Sequence, residues 1–401
     1  MPEREMHMDE WRRGWPVVAG AALAAATGIN LLYYVFSIFI PPLQQETGWT
    51  LGQFSQLQAL VGLGSLTAPA VGWAMDRHGV RPVYAMGMAM LTLLFLTIAI
   101  LPFVPTLFGV MVFITGLIGV WTSSMAYTRA VAGWFHHNRG MALALAATGL
   151  SLSAVLMPPL FGLVIDTQGW RAGYVLLAAL SGLIGVPAIL FLLKGTPDPR
   201  HAPADPEDTD PSVLRSPAFW LLVASMFCLN LPGSGMLSQM VPMMLEEGIS
   251  ARTAALGISA FAAGQVAGRL ACGYLLDRAH PQRVAFFFTL VPAIGCFLLW
   301  HLTGSPLVAF LAVAAIGVQQ GAEVDVFAFF VARRFGLVRY GAIYGWIQVA
   351  AWLSTIAGVL SFGKVHDLTG SYAMFQLAGA FAYAEGACLI AMVSLPPVRR
   401  A

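Results

Sequence analysis

The stretch GQVAGRLACGYLLDR, Gly264–Arg278, decides how this chain reads. It begins inside a long apolar run and ends on a charged turn. Arg269 precedes that turn by about 12 Å on a helix rising about 1.5 Å per residue. An arginine that far inside an apolar segment is costly unless it meets water, a partner or a ligand. The last six residues recur. GWAMDR, Gly72 to Arg77, matches GYLLDR, Gly273 to Arg278, at a constant offset. Each copy closes an apolar run and opens onto a basic loop, so the chain reads as two similar halves.

Composition supplies the class. The 401 residues are 58% hydrophobic and only 10% charged, with a mean hydropathy of +0.75. A soluble protein would carry about 25% charged residues. A polytopic helical membrane protein follows. Twelve spans can be drawn, at roughly 15–40, 52–75, 83–101, 106–131, 140–165, 172–193, 216–245, 253–276, 284–302, 306–332, 341–363 and 372–395, each near or above the length needed to cross a bilayer. Met1 to Arg13 is polar and the first apolar run is long enough to span, so no cleavable leader is expected. The net charge of +2 says little about partners.

The basic residues set the expected orientation. Of 21 lysines and arginines, sixteen fall on one side if the N-terminus is inside. Arg171, Arg252 and Lys364 fall on the other side, and Arg129 and Arg269 lie within spans. Both termini are therefore expected in the cytoplasm, with the protein integral to a membrane and a bacterial inner membrane as its setting. The only long polar connection is rich in Pro and Asp and reads as a solvated linker. The expected organisation is an N-terminal six-helix half at 1–194, a cytoplasmic linker at 195–215 and a C-terminal six-helix half at 216–401. Some secondary transporters use such parallel halves, with the substrate near the midplane between them.

GWAMDRHGVRPV resembles the loop signature of the major facilitator superfamily, G-x-x-x-D-R-x-G-x-R, on Gly72, Asp76, Arg77, Gly79 and Arg81. The second copy keeps Gly273, Asp277 and Arg278 but has Ala279-His280-Pro281 where the pattern wants a glycine. The resemblance implies an all-α membrane protein, twelve transmembrane helices in two pseudo-symmetric six-helix halves. Physically, such a motif needs a small residue for close helix approach. It also needs an aspartate near a helix end and basic residues to pair with it. Asp76, Arg77, Arg81, Asp277 and Arg278 are thus candidates for holding one transport state and releasing it in the other. The plainer reading of the basic residues is inside-positive topology.

Narrower stretches are similar to the monocarboxylate transporters and the related oxalate/formate antiporters. They are YYVFSIFIPPLQQETGWT from Tyr33, WFHHNRGMALALAATG from Trp134, PPLFGLVIDTQGWRAGY from Pro158, and GRLACGYLLDR. In the last pattern an eighth-helix arginine anchors the substrate carboxylate, and the match falls on Arg269. Three positions depart from the pattern. Gln265 stands where animal monocarboxylate transporters usually carry an aspartate. Ala24 to Tyr34 lacks their first-helix lysine. Ile347 and Gln348 stand where the oxalate antiporter has a lysine. One buried arginine without that lysine favours a monoanion over a small dianion.

The candidate chemistry follows. The planar fork of Arg269 can hold a carboxylate bidentately; the structural alternative is an ion pair with an acid on a neighbouring helix. Glu323 and Asp325 lie in the tenth span at a similar depth. Residues two apart on a helix point about 200° apart, so one of them is expected to face the cavity. Gln319 and Gln320 fall on the side of Glu323. Glu323 is therefore read as cavity-facing, and Asp325 as packed toward another helix or toward Arg129. A carboxyl in the membrane can carry a proton, or can simply neutralise Arg269 when the site is empty. Gln265, Gln319, Asn30, Tyr33, Tyr34 and Tyr127 are candidate substrate contacts, with Thr122, Ser123 and Ser124 nearby; each serves equally well as a polar link between helices. Glu385, in the middle of the last span, has no assigned role.

The four cysteines lie in apolar runs and read as packing residues, and the histidines have no metal spacing. No cofactor, metal or nucleic-acid partner is expected. No nucleophile–base set points to an enzyme. The expected activity is secondary active transport of a small organic monocarboxylate by alternating access, coupled to protons, by a monomer in a lipid bilayer. The alternatives are a carboxylate exchanger, a non-transporting carboxylate sensor, and an exporter of hydrophobic compounds.

Overall fold

A computed structural model describes residues 3–193, 213–301 and 304–395. Helices are the only regular elements among them. We label the twelve spans in order: α1 (Glu3–Thr27, continuing as Ile29–Thr47), α2 (Leu51–Leu63 to Ala68–His78), α3 (Val80–Ile100), α4 (Pro105–Gly119 to Ser124–Ala132), α5 (Arg139–Gln168), α6 (Trp170–Leu180, continuing to Leu192), α7 (Pro217–Ser238, then Met240–Glu246), α8 (Ala251–Leu276), α9 (Pro281–Trp300), α10 (Pro306–Arg334), α11 (Tyr340–Thr369) and α12 (Ala373–Ala391). Among the described residues, eleven of these are long and apolar enough to cross a membrane. The one outside that set is α8. Its 26 residues are long enough to cross, with Gln265 and Arg269 in its middle. The expected linker at 195–215 lies, apart from its last three residues, outside the described residues.

The chain divides into two compact units. One comprises Met1–Asp208 with Phe335–Gly345, and the other Thr209–Arg334 with Trp346–Ala401. The segment Phe335–Gly345, read from sequence as part of the second half, thus packs with the first.

The repeat seen in sequence extends to how helices stop and restart. α1 ends on Gly48, whose φ of 70° is left-handed, and Thr50 then caps α2 by accepting the Gln53 amide at 3.4 Å. α7 is followed by Gly248 at φ 77°, and Ser250 caps α8 by accepting the Thr253 amide at 3.3 Å. Glycine takes that φ without steric cost, and a hydroxyl at the N-cap satisfies an amide the helix leaves bare.

In the first unit, two conspicuous sequence stretches have a structural role. Glu10 of α1 accepts the backbone amides of His136 (2.5 Å), His137 (3.2 Å) and Asn138 (3.0 Å), and the Asn138 side-chain amide (2.8 Å). The α4–α5 loop is therefore wrapped around one carboxylate, and α1 is pinned to it. At the other end of the unit, Glu46 accepts the Trp170 indole N–H at 2.5 Å and pairs with Arg171 at 3.2 Å. Trp170 also stacks edge-on against Phe103, Phe108 and Tyr174. The Gly-Trp-Arg stretch at the start of α6 is thus an anchor for the end of α1.

Three spans of this unit are interrupted. α1 breaks at Gly28, and α4 passes through a tight turn at Val120–Thr122. These breaks meet: the Ile29 amide donates to the Thr122 hydroxyl at 3.1 Å. A backbone donor freed by the break is thereby re-satisfied, as burial requires. α2 tightens at Gly64–Thr67, where Gly64 lies against the Gly116 backbone of α4.

Candidate functional site

The site is built where α8 and α10 cross. Each helix offers two glycines one turn apart, and they interlock reciprocally. Gly264 and Gly268 lie on the backbone of Ala314 and Val318, while Gly317 and Gly321 lie on that of Phe261 and Gln265. A Cβ at any of the four would overlap the facing carbonyl. Small residues one turn apart let membrane helices approach to backbone contact. That contact fixes what the next residue can do. Arg269, beside Gly268, donates its Nε–H to the Gly321 carbonyl at 3.2 Å. The same Nε lies 3.8 Å from an Asp325 carboxylate oxygen. Arg269 is 5% exposed and Asp325 fully buried.

The electrostatics of this pair are incomplete. Neither Asp325 oxygen accepts a hydrogen bond from the protein, and 3.8 Å is long for a charged contact. Glu323 points elsewhere, as the helical angle requires. It accepts a 2.7 Å hydrogen bond from the Gln319 side chain, and Gln320 donates in turn to Gln319 at 3.4 Å. The two carboxylates of α10 thus have different partners. Asp325 faces the α8 arginine, and Glu323 heads a glutamine chain. Of the two partners expected for Asp325, the neighbouring helix is observed. Arg129 is not its partner; it is committed to Asp76.

Tyr383 of α12 was missed in the sequence reading. It is fully buried, its hydroxyl makes no hydrogen bond, and Glu323 and Cys296 are electrostatic neighbours. Its hydroxyl and the Gln320 amide nitrogen each lie 2.8 Å from where a Cβ on Gly233 would stand. The available signal was a tyrosine in the middle of an apolar span, but nothing local said which helix it would meet. Gln265 is half-buried, with its backbone against Gly321.

In the first unit, Asp76 closes a second polar centre. Its two oxygens accept the Gly341 and Ala342 amides at 2.9 and 3.0 Å, and Arg129 Nε lies 3.5 Å away. Gly72, one turn back, lies on the Gly341 backbone; this is the close approach for which the motif needs its glycine. The ion-pair partner of Asp76 is Arg129, from inside α4. Arg77 lies over the Trp73 ring at 5.3 Å and Arg278 over the Tyr274 ring at 4.0 Å, equivalent placements in the two repeats. Arg81 donates to the Leu190 carbonyl, and Asp277 ends α8. Of the candidate substrate contacts here, Tyr127 is fully buried, Asn30 and Tyr33 half-buried and Tyr34 exposed. The Gly28 and Thr122 breaks bring the helical segments bearing them together.

The sequence profile of the Major Facilitator Superfamily matches residues 19–398. The chain belongs to the major facilitator superfamily. This superfamily member is 29% identical to human monocarboxylate transporter 11 over 395 residues, covering 92% of this chain and 80% of that one. It is 22% identical to the oxalate:formate antiporter of Oxalobacter formigenes over 339 residues, covering 82% and 80%. Its fold matches the crystal structure of the fucose:proton symporter of E. coli with a TM-score of 0.74, at 18% identity, over 95% of this chain and all of that one. The protein is an integral membrane transporter acting on a small molecule, and not an enzyme.

Proposed function

We propose that this transporter moves a small organic monocarboxylate by alternating access, coupled to protons, with the carboxylate held by the guanidinium of Arg269. The observation that carries the reading is the loose Arg269–Asp325 pair. Asp325 balances the arginine charge at long range while accepting no hydrogen bond itself. It is a counter-charge that a substrate carboxylate can replace. Replacement leaves a buried aspartate without its partner, and a buried carboxyl in that position is cheaper neutral than charged. Anion entry and proton uptake are thereby linked on one residue. Glu323, with Gln319, is the second candidate carrier. Gln265, Gln319, Asn30, Tyr33, Tyr34 and Tyr127 are the proposed polar contacts to the rest of the substrate. Asp76, Arg77, Arg81, Asp277 and Arg278 are the proposed gating groups, with both termini in the cytoplasm of a bacterial cell.

Uptake into liposomes tests this. A panel of labelled mono- and dicarboxylates, with and without an inward proton gradient, should give gradient-driven accumulation of a monocarboxylate. Arg269→Lys should abolish it, since an ammonium cannot reproduce the bidentate fork. Normal uptake by Arg269→Lys would overturn the assignment. Exchange is the nearest rival, favoured by the similarity to the oxalate:formate antiporter. Rapid counterflow with no net uptake under any proton gradient would select it.

A further inference from the structure

The second unit holds a carboxyl that anion binding at Arg269 does not use. Glu323 is 7% exposed and lies on the opposite side of α10 from Asp325 and its arginine. None of the ion pairs among the described residues includes it. A buried carboxylate without a counter-charge is costly, and taking up a proton relieves that cost. The hydrogen bonds say which oxygen takes it. Gln319 is fully buried and donates to Glu323 Oε2 at 2.7 Å, while its own oxygen accepts from Gln320 at 3.4 Å. The Gln319 amide is thereby turned with its nitrogen toward the carboxyl, and Oε2 is held as an acceptor. Oε1 is left to carry the proton.

An acid O–H in a membrane interior needs an acceptor. Tyr383 offers one. It is fully buried in α12, its hydroxyl makes no hydrogen bond, and Glu323 is its electrostatic neighbour. Gly233 of α7 makes room for it. The Tyr383 hydroxyl and the Gln320 amide nitrogen each lie 2.8 Å from where a Cβ on Gly233 would stand, so a larger residue there would displace both. The phenol is thus brought to the head of the same glutamine chain that holds Glu323. A phenol both donates and accepts, so one hydroxyl can serve the carboxyl in either protonation state. A buried hydroxyl left unbonded carries a desolvation cost that such a partner removes.

We propose that Tyr383 is the positioning residue of a second proton-carrying centre. Its hydroxyl accepts the O–H of protonated Glu323, and donates to the carboxylate once the proton has left. Closing the pair takes a rotation of the Glu323 side chain while Gln319 keeps Oε2. The proton comes from water at the exposed edge of Glu323 and returns there. Tyr383 stays a phenol throughout, and the O–H of Glu323 is the only bond made or broken. The inference rests on the proton-coupled reading and extends it. Proton uptake at Asp325 follows the anion that takes its arginine, whereas loading at Glu323 is independent of Arg269.

Infrared difference spectroscopy of the full-length protein in liposomes reads the carboxyl directly and needs no substrate. On acidification, one protonated-carboxyl band should appear that Glu323→Gln removes and Arg269→Ala leaves in place. In Tyr383→Phe that band should remain but move to higher frequency, because the acid O–H has lost its acceptor. Gly233→Ala, which crowds the phenol and Gln320, should move it with the hydroxyl still present. In uptake assays Tyr383→Phe should displace the pH profile by about one unit, the scale of one hydrogen bond to a charged group. The double variant Glu323→Gln/Tyr383→Phe should match Glu323→Gln alone, since the hydroxyl acts through the carboxyl. A band that Tyr383→Phe leaves unmoved would overturn the proposal, as would a pH displacement that persists without Glu323. The expected spectra in a protein that accumulates no carboxylate would uphold this centre and remove the transport reading instead.

Discussion

Two buried arginine–aspartate pairs, one in each unit, have similar lengths and opposite construction. Arg129 and Asp76 are 3.5 Å apart, and Arg269 and Asp325 are 3.8 Å apart. Asp76 is saturated: two backbone amides grip its oxygens besides the arginine. Asp325 accepts nothing. A carboxylate that is paired and fully hydrogen-bonded recovers much of its desolvation cost, whereas one that is neutralised but not solvated remains a strained part of its site. The first arrangement suits a lock that holds a conformation. The second suits a site awaiting a ligand that will redistribute its charge. Burial and sign of charge are alike in the two; the hydrogen bonds separate them.

The contrast can be broken in steps, beginning with the largest effect. Arg269→Lys should lower uptake about 30-fold or more, because a bidentate charged contact is lost at the substrate; initial rates in liposomes measure it. Asp76→Ala should destabilise the protein by about 3 kcal/mol, since it leaves Arg129 buried without its counter-charge. Its apparent melting temperature should fall accordingly, with carboxylate affinity in the surviving fraction unchanged. Asp325→Asn should lose proton-driven accumulation while keeping substrate counterflow, for the anion itself then neutralises Arg269. Retained accumulation at wild-type levels would move proton coupling to Glu323. Tyr383→Phe should change the melting temperature least, within about 0.5 kcal/mol, because the hydroxyl removed makes no hydrogen bond.

Much of the fold was legible because its signals are local. Apolar runs long enough to span, the repeated Gly-x-x-x-Asp-Arg motif and the lone arginine in α8 are all readable in a window of about 20 residues. The one-turn spacing within Gly264/Gly268 and Gly317/Gly321 was visible in the sequence. Their reciprocal engagement was not, because it depends on which helices touch. The same limit explains Arg129. At the inner end of α4 it could have served either aspartate, and only the packing of α4 beside Asp76 decides between them. Tyr383 sat two residues from Glu385 in sequence, and period alone could not tell which of the two would meet a buried carboxylate. The breaks at Gly28 and Val120–Thr122 lay inside uninterrupted apolar runs, where hydropathy does not register a lost backbone hydrogen bond.

The central claim is that Arg269 receives an organic anion, and ligand-dependent thermal stability tests it most directly. The purified protein would be melted against small mono- and dicarboxylates at two pH values, with Arg269→Ala alongside. A ligand that prefers the folded form raises the melting temperature by mass action. The account predicts stabilisation by one monocarboxylate, stronger at the lower pH, and none in Arg269→Ala. Equal stabilisation of wild type and Arg269→Ala by the same carboxylate would contradict it and return Arg269 to a purely structural role.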